Sequence, residues 1–248
     1  MLSMALYIIG LGLWDERDIS LKGLETAKKC DIAYLENYTS VMFGTSPEKL
    51  EKLFGKKVIV LGRKEVEQDK EFLKQAKTKE VALLVGGDPT VATTHIEIIQ
   101  EAKKQKIKFK VIHASSILSA VGESGLFTYK FGRSCSIPFP QKGFEPKSFY
   151  DIIAENQKIG AHTLVFLDLK PEENKFMTIN QALEILLKQG IRKETIAVGF
   201  ARIGSDSQII KAGKISELLK FDFGLPMHIL VIPGKLHFME EEALNLES

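Results

Sequence analysis

Three short segments hold the residues whose types and spacing could do chemistry. They are Gly10-Leu-Gly12-Leu-Trp-Asp15, Gly86-Gly-Asp88-Pro89 and His113-Ala-Ser-Ser116. Glycines let main chain approach a ligand closely, because no Cβ intervenes. Asp88 stands between two glycines and Pro89, which lacks an N–H and forces the preceding apolar run to end. Thr90-Val-Ala-Thr-Thr-His95 then brings small and hydroxyl side chains to an expected helix start, where a ligand carboxylate would be welcome. Ser115 and Ser116 could hold a polar ligand end in the same way. Each segment also fits a plainer role: a strand–helix turn, a Gly-Gly-Asp-Pro turn, or helix capping.

The chemistries excluded are as informative. A dinucleotide fingerprint needs a third small residue after the Gly10–Gly12 pair. Asp15 stands there instead and would repel a pyrophosphate. Glu36, closing the second apolar run, is the acid that a ribose-binding, NAD-dependent oxidoreductase would use. The chain has no GxSxG, no GKS or GKT, no HExxH and no DxDxDG. Cys30 and Cys135 read as buried thiols, and without a CxxC or Cys/His cluster no metal is expected. The five histidines are scattered singly; His228, just before Ile229–Ile232, is the one to watch. No residue stands out as a general base, so a non-catalytic binding module stays open on the residues alone.

Composition sets the frame for these loops. The chain has 248 residues, 44% hydrophobic and 27% charged, enough for one large domain or two small ones. Its 34 Lys and Arg against 32 Asp and Glu give a net charge of +2, so no strong field points to nucleic acid or membrane. The run Lys103-Lys-Gln-Lys106-Ile-Lys108-Phe-Lys110 reads as a solvated helix end and a strand edge. No segment approaches the ~20 apolar residues of a membrane helix. The first residues carry no basic stretch or small-residue cleavage site and lead into a strand, so a cytoplasmic protein is expected.

The elements that must position the loops follow from apolar periodicity. Strands are expected at Leu6–Ile9, Ile32–Leu35, Val58–Leu61, Val81–Val85 and Phe109–Ile112. Helices are expected from Asp18 or Ser20 to Lys29, at Pro47–Phe54, Val66–Ala76 and Ala92–Lys104. Strands alternating with helices predict a mostly parallel sheet with helices on both faces, its ligand at the strands' carboxyl ends. Further on, strands are expected at Ser134–Pro138, Thr163–Leu169, Thr195–Phe200, Gln208–Ala212 and His228–Ile232. Helices are expected at Pro146–Lys158, Thr178–Lys188 and Ile215–Leu219, with a hairpin turn at Lys211–Lys214. The denser strands predict an α+β domain with a mixed sheet. The division is expected as 1–112 and 113–248.

At these loops the chain resembles the diphthine synthases, the diphthamide-pathway branch of the tetrapyrrole methylase-like methyltransferases. The resemblance rests on Tyr7-Ile-Ile-Gly10-Leu-Gly12-Leu13, Asp15-Glu-Arg-Asp18-Ile, Lys22-Gly-Leu-Glu25, Gly87-Asp-Pro89 and Ala92-Thr-Thr-His95. It continues through Glu36–Ser40, Val111-Ile-His113-Ala, Ala120-Val-Gly122, Tyr129-Lys-Phe-Gly132, His162-Thr-Leu164, Leu167-Asp168, Ala201-Arg202 and Pro233-Gly-Lys-Leu-His237. It thus covers nearly the whole chain. The GxG and GDP motifs belong to the broad family; the Asp18-Ile-Ser20 continuation, Ala-Thr-Thr-His and Tyr-Lys-Phe-Gly are more specific to the branch.

The resemblance implies a two-domain α/β tetrapyrrole methylase-like fold with S-adenosylmethionine in the interdomain cleft and S-adenosylhomocysteine as product. By position, the family's cofactor contacts fall on Leu13, Asp88, Val91, Ser116, Ile117, Leu167, Ile203 and His228. The chain departs from relatives at Gly86, Ser115 and Ile203. The resemblance also implies a homodimer that methylates the amino group of a modified histidine on translation elongation factor 2, giving diphthine. A methylase acting on a tetrapyrrole is the alternative within the same fold. Methyl transfer from a sulfonium releases a neutral thioether, so the lack of a triad or metal motif is in keeping with it.

Overall fold

The computed structural model describes residues 4–141, 143 and 146–246. The chain divides into two compact units, Met1–Ile117 and Leu118–Ser248, a few residues beyond the expected division.

The first unit is built on β1 (Ala5–Gly10), β2 (Ile32–Glu36), β3 (Val58–Leu61), β4 (Glu80–Val85) and β5 (Phe109–Ile112). The spatial order is β3-β2-β4-β1-β5, and every pairing is parallel. Its helices are α1 (Leu21–Lys29), α2 (Pro47–Phe54), α3 (Glu71–Gln75), α4 (Ile96–Lys104) and the start of the short α5 (Ile117–Ala120). Alternate strand residues feed opposite faces. Leu6, Ile8, Leu83 and Val85 pack with Phe72, Leu73, Ile98 and Ala102 from α3 and α4. Ile9, Ala33, Leu35 and Leu84 pack with Ala27, Leu50 and Phe54 from α1 and α2. Burial of side chains such as Leu50 and Phe54 stabilises by about 1.5–3 kcal/mol each. Because all five strands run the same way, their carboxyl ends share one edge.

The caps explain the helix starts. The Ser20 hydroxyl accepts the Gly23 N–H at 3.1 Å and opens α1. The Ser46 hydroxyl opens α2 with Pro47 in its first turn. Gly55, at φ 73, closes it in the left-handed conformation.

Two expected helices differ. The 66–76 segment is broken: a π turn over Glu65–Asp69 ends at Lys70, whose φ of 48 interrupts the helix before α3. The helix expected from Ala92 starts at Ile96, because Ala92 takes φ 51. Thr90–Thr94 is therefore a loop and not a helix start. At the sheet edge, β3 leaves the consecutive residues Ile59 and Val60 exposed, one on each face, although the run reads as a fully buried strand.

The second unit contains β6 (Cys135–Ile137), β7 (Thr163–Leu167), β10 (Ile196–Ala201), β11 (Ile209–Lys214) and β12 (His228–Ile232). β8 (Leu169–Lys170) and β9 (Lys175–Phe176), two residues each, pair as a separate antiparallel hairpin. The main sheet runs β11-β10-β12-β7-β6, antiparallel except for the β6–β7 pair, so it is mixed. Its helices are α6 (Ser148–Lys158), α7 (Ile179–Lys188), α8 (Ile215–Leu218) and α9 (Phe238–Ala243). Phe149, Ile153, Ile179, Leu183, Leu186, Ile215 and Leu218 from α6, α7 and α8 cover one face of this sheet. Thr178 caps α7 in a capping box with Gln181. Lys211–Lys214 is the end of strand β11, paired to Ile196–Gly199, and not a hairpin turn. The two cysteines are free and buried, and burial pushes each thiol up to about 12.

Candidate functional site

In the first unit, three of the loops at the carboxyl edge close onto one another. Leu11 N–H donates to the Val85 carbonyl at 2.8 Å, and Gly87 N–H to the Gly12 carbonyl at 2.8 Å. Gly12 and Gly87 thus bridge the loops after β1 and β4. Both take positive φ, 91 and 71, a region open to glycine at little cost. A Cβ on Gly12 would run into Asp18. A Cβ on Gly87 would meet no described atom within 4 Å, so open space lies over that peptide.

Asp15 is not at the start of α1. It caps a 3-10 turn over Glu16–Asp18, and its carboxylate is gripped by Arg17 at 2.6–3.1 Å. That grip holds the Asp15 carboxyl below its ordinary range. Asp18 in turn accepts the Trp14 N–H at 2.7 Å. The first loop is thus shaped by its own carboxylates.

Asp88 is tied inward rather than presented. Its Oδ1 accepts from the Thr90 N–H at 2.9 Å and the Thr90 hydroxyl at 2.7 Å. Its Oδ2 accepts from His113 Nδ1 at 2.9 Å and the Ala114 N–H at 3.2 Å. Burial alone would raise this carboxyl, but the bonds from Thr90, His113 and Ala114 prevail and lower it. The acid thus stays ionised and joins the loops after β4 and β5. Val91 is half-buried, and its N–H closes the turn on the Asp88 carbonyl at 3.1 Å. Leu13 and Ile117 are half-buried and Ser116 is buried, all in loops at this edge or at the adjoining start of α5.

Glu36 is only 1% exposed and turns into its own loop. It accepts the Tyr38 and Thr39 N–H groups at 2.6 Å each and the Thr39 hydroxyl at 2.5 Å. His95 faces it at 3.6 Å and is 1% exposed. Glu36 is thereby committed to the loop and withdrawn from any ribose, which removes the sequence feature behind the oxidoreductase reading.

In the second unit, β7 and β10 end at the edge where β12 begins. His228 pairs with Ala201, the last residue of β10. Leu167 closes β7, and Ile203 follows β10; both are buried. So Leu167, Ile203 and His228 share one edge of the second sheet. The His228 ring is a brace: Nδ1 accepts the Ile179 N–H at 3.2 Å, and Nε2–H donates to the Leu225 carbonyl at 3.1 Å. Burial lowers its pKa and keeps it neutral. Beside it, Arg202 bonds the carbonyls of Ser207, Phe223 and Leu225 and so ties together the two loops flanking His228.

Sequence reading missed a buried cluster in this unit. Glu240, fully buried, accepts from the Phe127 N–H at 2.8 Å, the His237 N–H at 2.8 Å, His162 Nε2 at 2.9 Å and Lys130 Nζ. Burial opposes its charge, but the Lys130, Phe127, His237 and His162 partners lower its pKa to about 2. Three of the segments that carry the resemblance, around Lys130, His162 and Pro233–His237, therefore converge on one carboxylate.

At the first unit's edge, glycine-rich main chain, buried Ser116 and the apolar side chains of Leu13, Val91 and Ile117 fit an adenosine-bearing ligand without phosphate better than a phosphorylated one. At the second unit's own edge stand the apolar side chains of Leu167 and Ile203. Among the described residues no group of three or more His, Cys, Asp or Glu could hold a metal ion. No helix among them is long and apolar enough to cross a membrane.

Known proteins share this sequence pattern and this fold. The pattern of the tetrapyrrole (corrin/porphyrin) methylases matches residues 5–219. A protein of Methanosarcina mazei named diphthine synthase is 50% identical, over 96% of this chain and 94% of its own. One of the same name from Methanocaldococcus jannaschii is 48% identical over 97% of each chain. A crystal structure of diphthine synthase superposes with a TM-score of 0.91 at 42% identity, covering 97% of this chain and 94% of that one. The chain belongs to the tetrapyrrole methylase family, in its diphthine synthase branch.

Proposed function

We propose that the protein is an S-adenosylmethionine-dependent methyltransferase of diphthamide biosynthesis. It methylates the amino group of the 2-(3-amino-3-carboxypropyl)histidine of translation elongation factor 2 to give diphthine. The observation that carries this reading is the 50% identity, across nearly the full length of both chains, to a protein named diphthine synthase. S-adenosylmethionine supplies an activated methyl group on a sulfonium and leaves as S-adenosylhomocysteine.

The chain's own part is to bind and align. Leu13, Asp88, Val91, Ser116 and Ile117 of the first unit, with Leu167, Ile203 and His228 of the second, are assigned to the cofactor. Because the carboxylate of Asp88 and both ring nitrogens of His228 have protein partners, these two residues contribute main chain and shape. Alignment of donor and acceptor alone can contribute up to ~7–11 kcal/mol. We assign the enzyme to the cytoplasm, and its working form as a homodimer of the 27.7 kDa chain, which light scattering would read as a doubled mass.

Mass spectrometry of elongation factor 2 bearing the aminocarboxypropyl group, after incubation with enzyme and S-adenosylmethionine, tests the reaction. Mass should rise in steps of one methyl group on that histidine. A factor unchanged in mass, with cofactor bound to the enzyme, contradicts the assignment.

A further inference from the structure

We propose that His113 is the general base of the methyl transfer, its Nε2 taking the proton from the acceptor amine while Asp88 holds its Nδ1–H. The inference deepens the function proposed above and rests on it.

A protonated amine has no lone pair, so the acceptor must lose a proton before it can attack carbon. A positioned imidazole suits that task. His113 Nδ1 lies 2.9 Å from Asp88 Oδ2. An ionised carboxylate can only accept, so Nδ1 carries the hydrogen and the neutral ring keeps its lone pair on Nε2. The Asp88 side chain is 8% exposed, whereas that of His113 is 69% exposed. A buried, ionised acid thus sets the tautomer of an accessible imidazole, the arrangement that orients a base in acyl-transfer triads. The same Asp88 oxygen also accepts the Ala114 N–H at 3.2 Å, so ring and backbone are anchored together.

The position agrees. His113 directly follows β5, three residues before Ser116. Its neighbour Ala114 has its methyl 2.8 Å from where a Cβ on Gly10 would sit. His113 therefore stands where the loops after β1, β4 and β5 meet. The other histidines are committed otherwise. His95, His162 and His228 are buried at 1%, 0% and 5% exposure. The His237 ring accepts the Met239 N–H at the start of α9. Of the nearby acids, Asp15 is gripped by Arg17 and Glu36 is buried in its own loop.

The step balances. An ammonium proton passes to Nε2, and the freed lone pair forms the N–C bond. The C–S bond of the sulfonium donor breaks with its electron pair on sulfur, leaving a neutral thioether. The imidazolium, stabilised by Asp88, returns its proton to water through the exposed Nε2. A further methylation of the same nitrogen would use the same cycle.

The test is His113→Asn, whose amide can still donate to Asp88 but cannot take a proton. With elongation factor 2 bearing the aminocarboxypropyl histidine, its kcat should fall roughly 100- to 10,000-fold. Its calorimetric affinity for S-adenosylmethionine should stay near wild type, and added imidazole should restore turnover to His113→Ala. An Asn variant as fast as wild type, or one that loses cofactor affinity in parallel with rate, overturns the role of His113. A wild-type enzyme that binds cofactor but leaves this factor unmethylated instead overturns the functional reading on which it rests.

Discussion

A Cβ placed on Gly10 would lie 2.6 Å from the carbonyl oxygen of Gly87, 2.8 Å from the Ala114 methyl and 3.0 Å from Pro89 Cδ. Two of the three loops at the carboxyl edge thus touch a single point on the third. Gly10→Ala should push the β4 and β5 loops outward. The obstructing atom is main chain, so the cost should be that of overpacking, about 1–3 kcal/mol. Urea unfolding reads the stability loss, and titration calorimetry should show weaker S-adenosylmethionine binding. A variant with unchanged stability and affinity would show that the loops do not depend on this contact.

Glu240 ties α9 to the Phe127–Lys130 turn and to His162, and its depressed pKa makes that tie acid-sensitive. The folded value near 2 lies below the ordinary value of 4.5. The charged carboxylate therefore adds stability above pH 4.5, and this is lost as pH falls through the window down to about 2. The contribution is about 3 kcal/mol. Glu240→Gln should cost about that much in urea unfolding at pH 7 and far less near pH 2. A loss of equal size at both pH values would contradict an electrostatic role.

Both thiols are buried and raised to about 12 by desolvation, so neither should be thiolate at neutral pH. A chromogenic disulfide reagent should react slowly with native protein and rapidly with both cysteines in denaturant. Rapid labelling of Cys30 or Cys135 in the native state would mean that its segment opens readily.

What could be read from the sequence was mostly local. Parallel strands buried on both faces appear as unbroken apolar runs, so β1, β2 and β4 were legible within a residue at either end; β5, an edge strand with Lys110 exposed, was legible from Phe109, Val111 and Ile112. Ser20, Ser46 and Thr178 marked helix starts because their hydroxyls meet main-chain N–H groups. The break at Lys70 and the late start of α4 were not legible. Lys70 and Ala92 take positive φ without being Gly or Asn, and tertiary packing overrides their preference. The Lys211–Lys214 stretch looked like a turn because Gly213 breaks an apolar pattern on an edge strand. In the candidate site, the glycines and Asp88 could be picked out by type, but their partners could not. His113 lies 25 residues from Asp88, and Glu240 lies 78 from His162. No local pattern announces such a pair, and His228, the histidine that drew attention, is a brace under α7.

The proposed reaction transfers a methyl group to one modified histidine. The most direct measurement follows label from methyl-tritiated S-adenosylmethionine into three acceptors offered in parallel. They are elongation factor 2 bearing the aminocarboxypropyl histidine, the unmodified factor and a tetrapyrrole. Docking a whole protein supplies binding energy remote from the amine, which can be used to orient it. Label should therefore enter the modified factor alone. Efficient labelling of the tetrapyrrole with none in the modified factor would rule out the modified histidine as the acceptor.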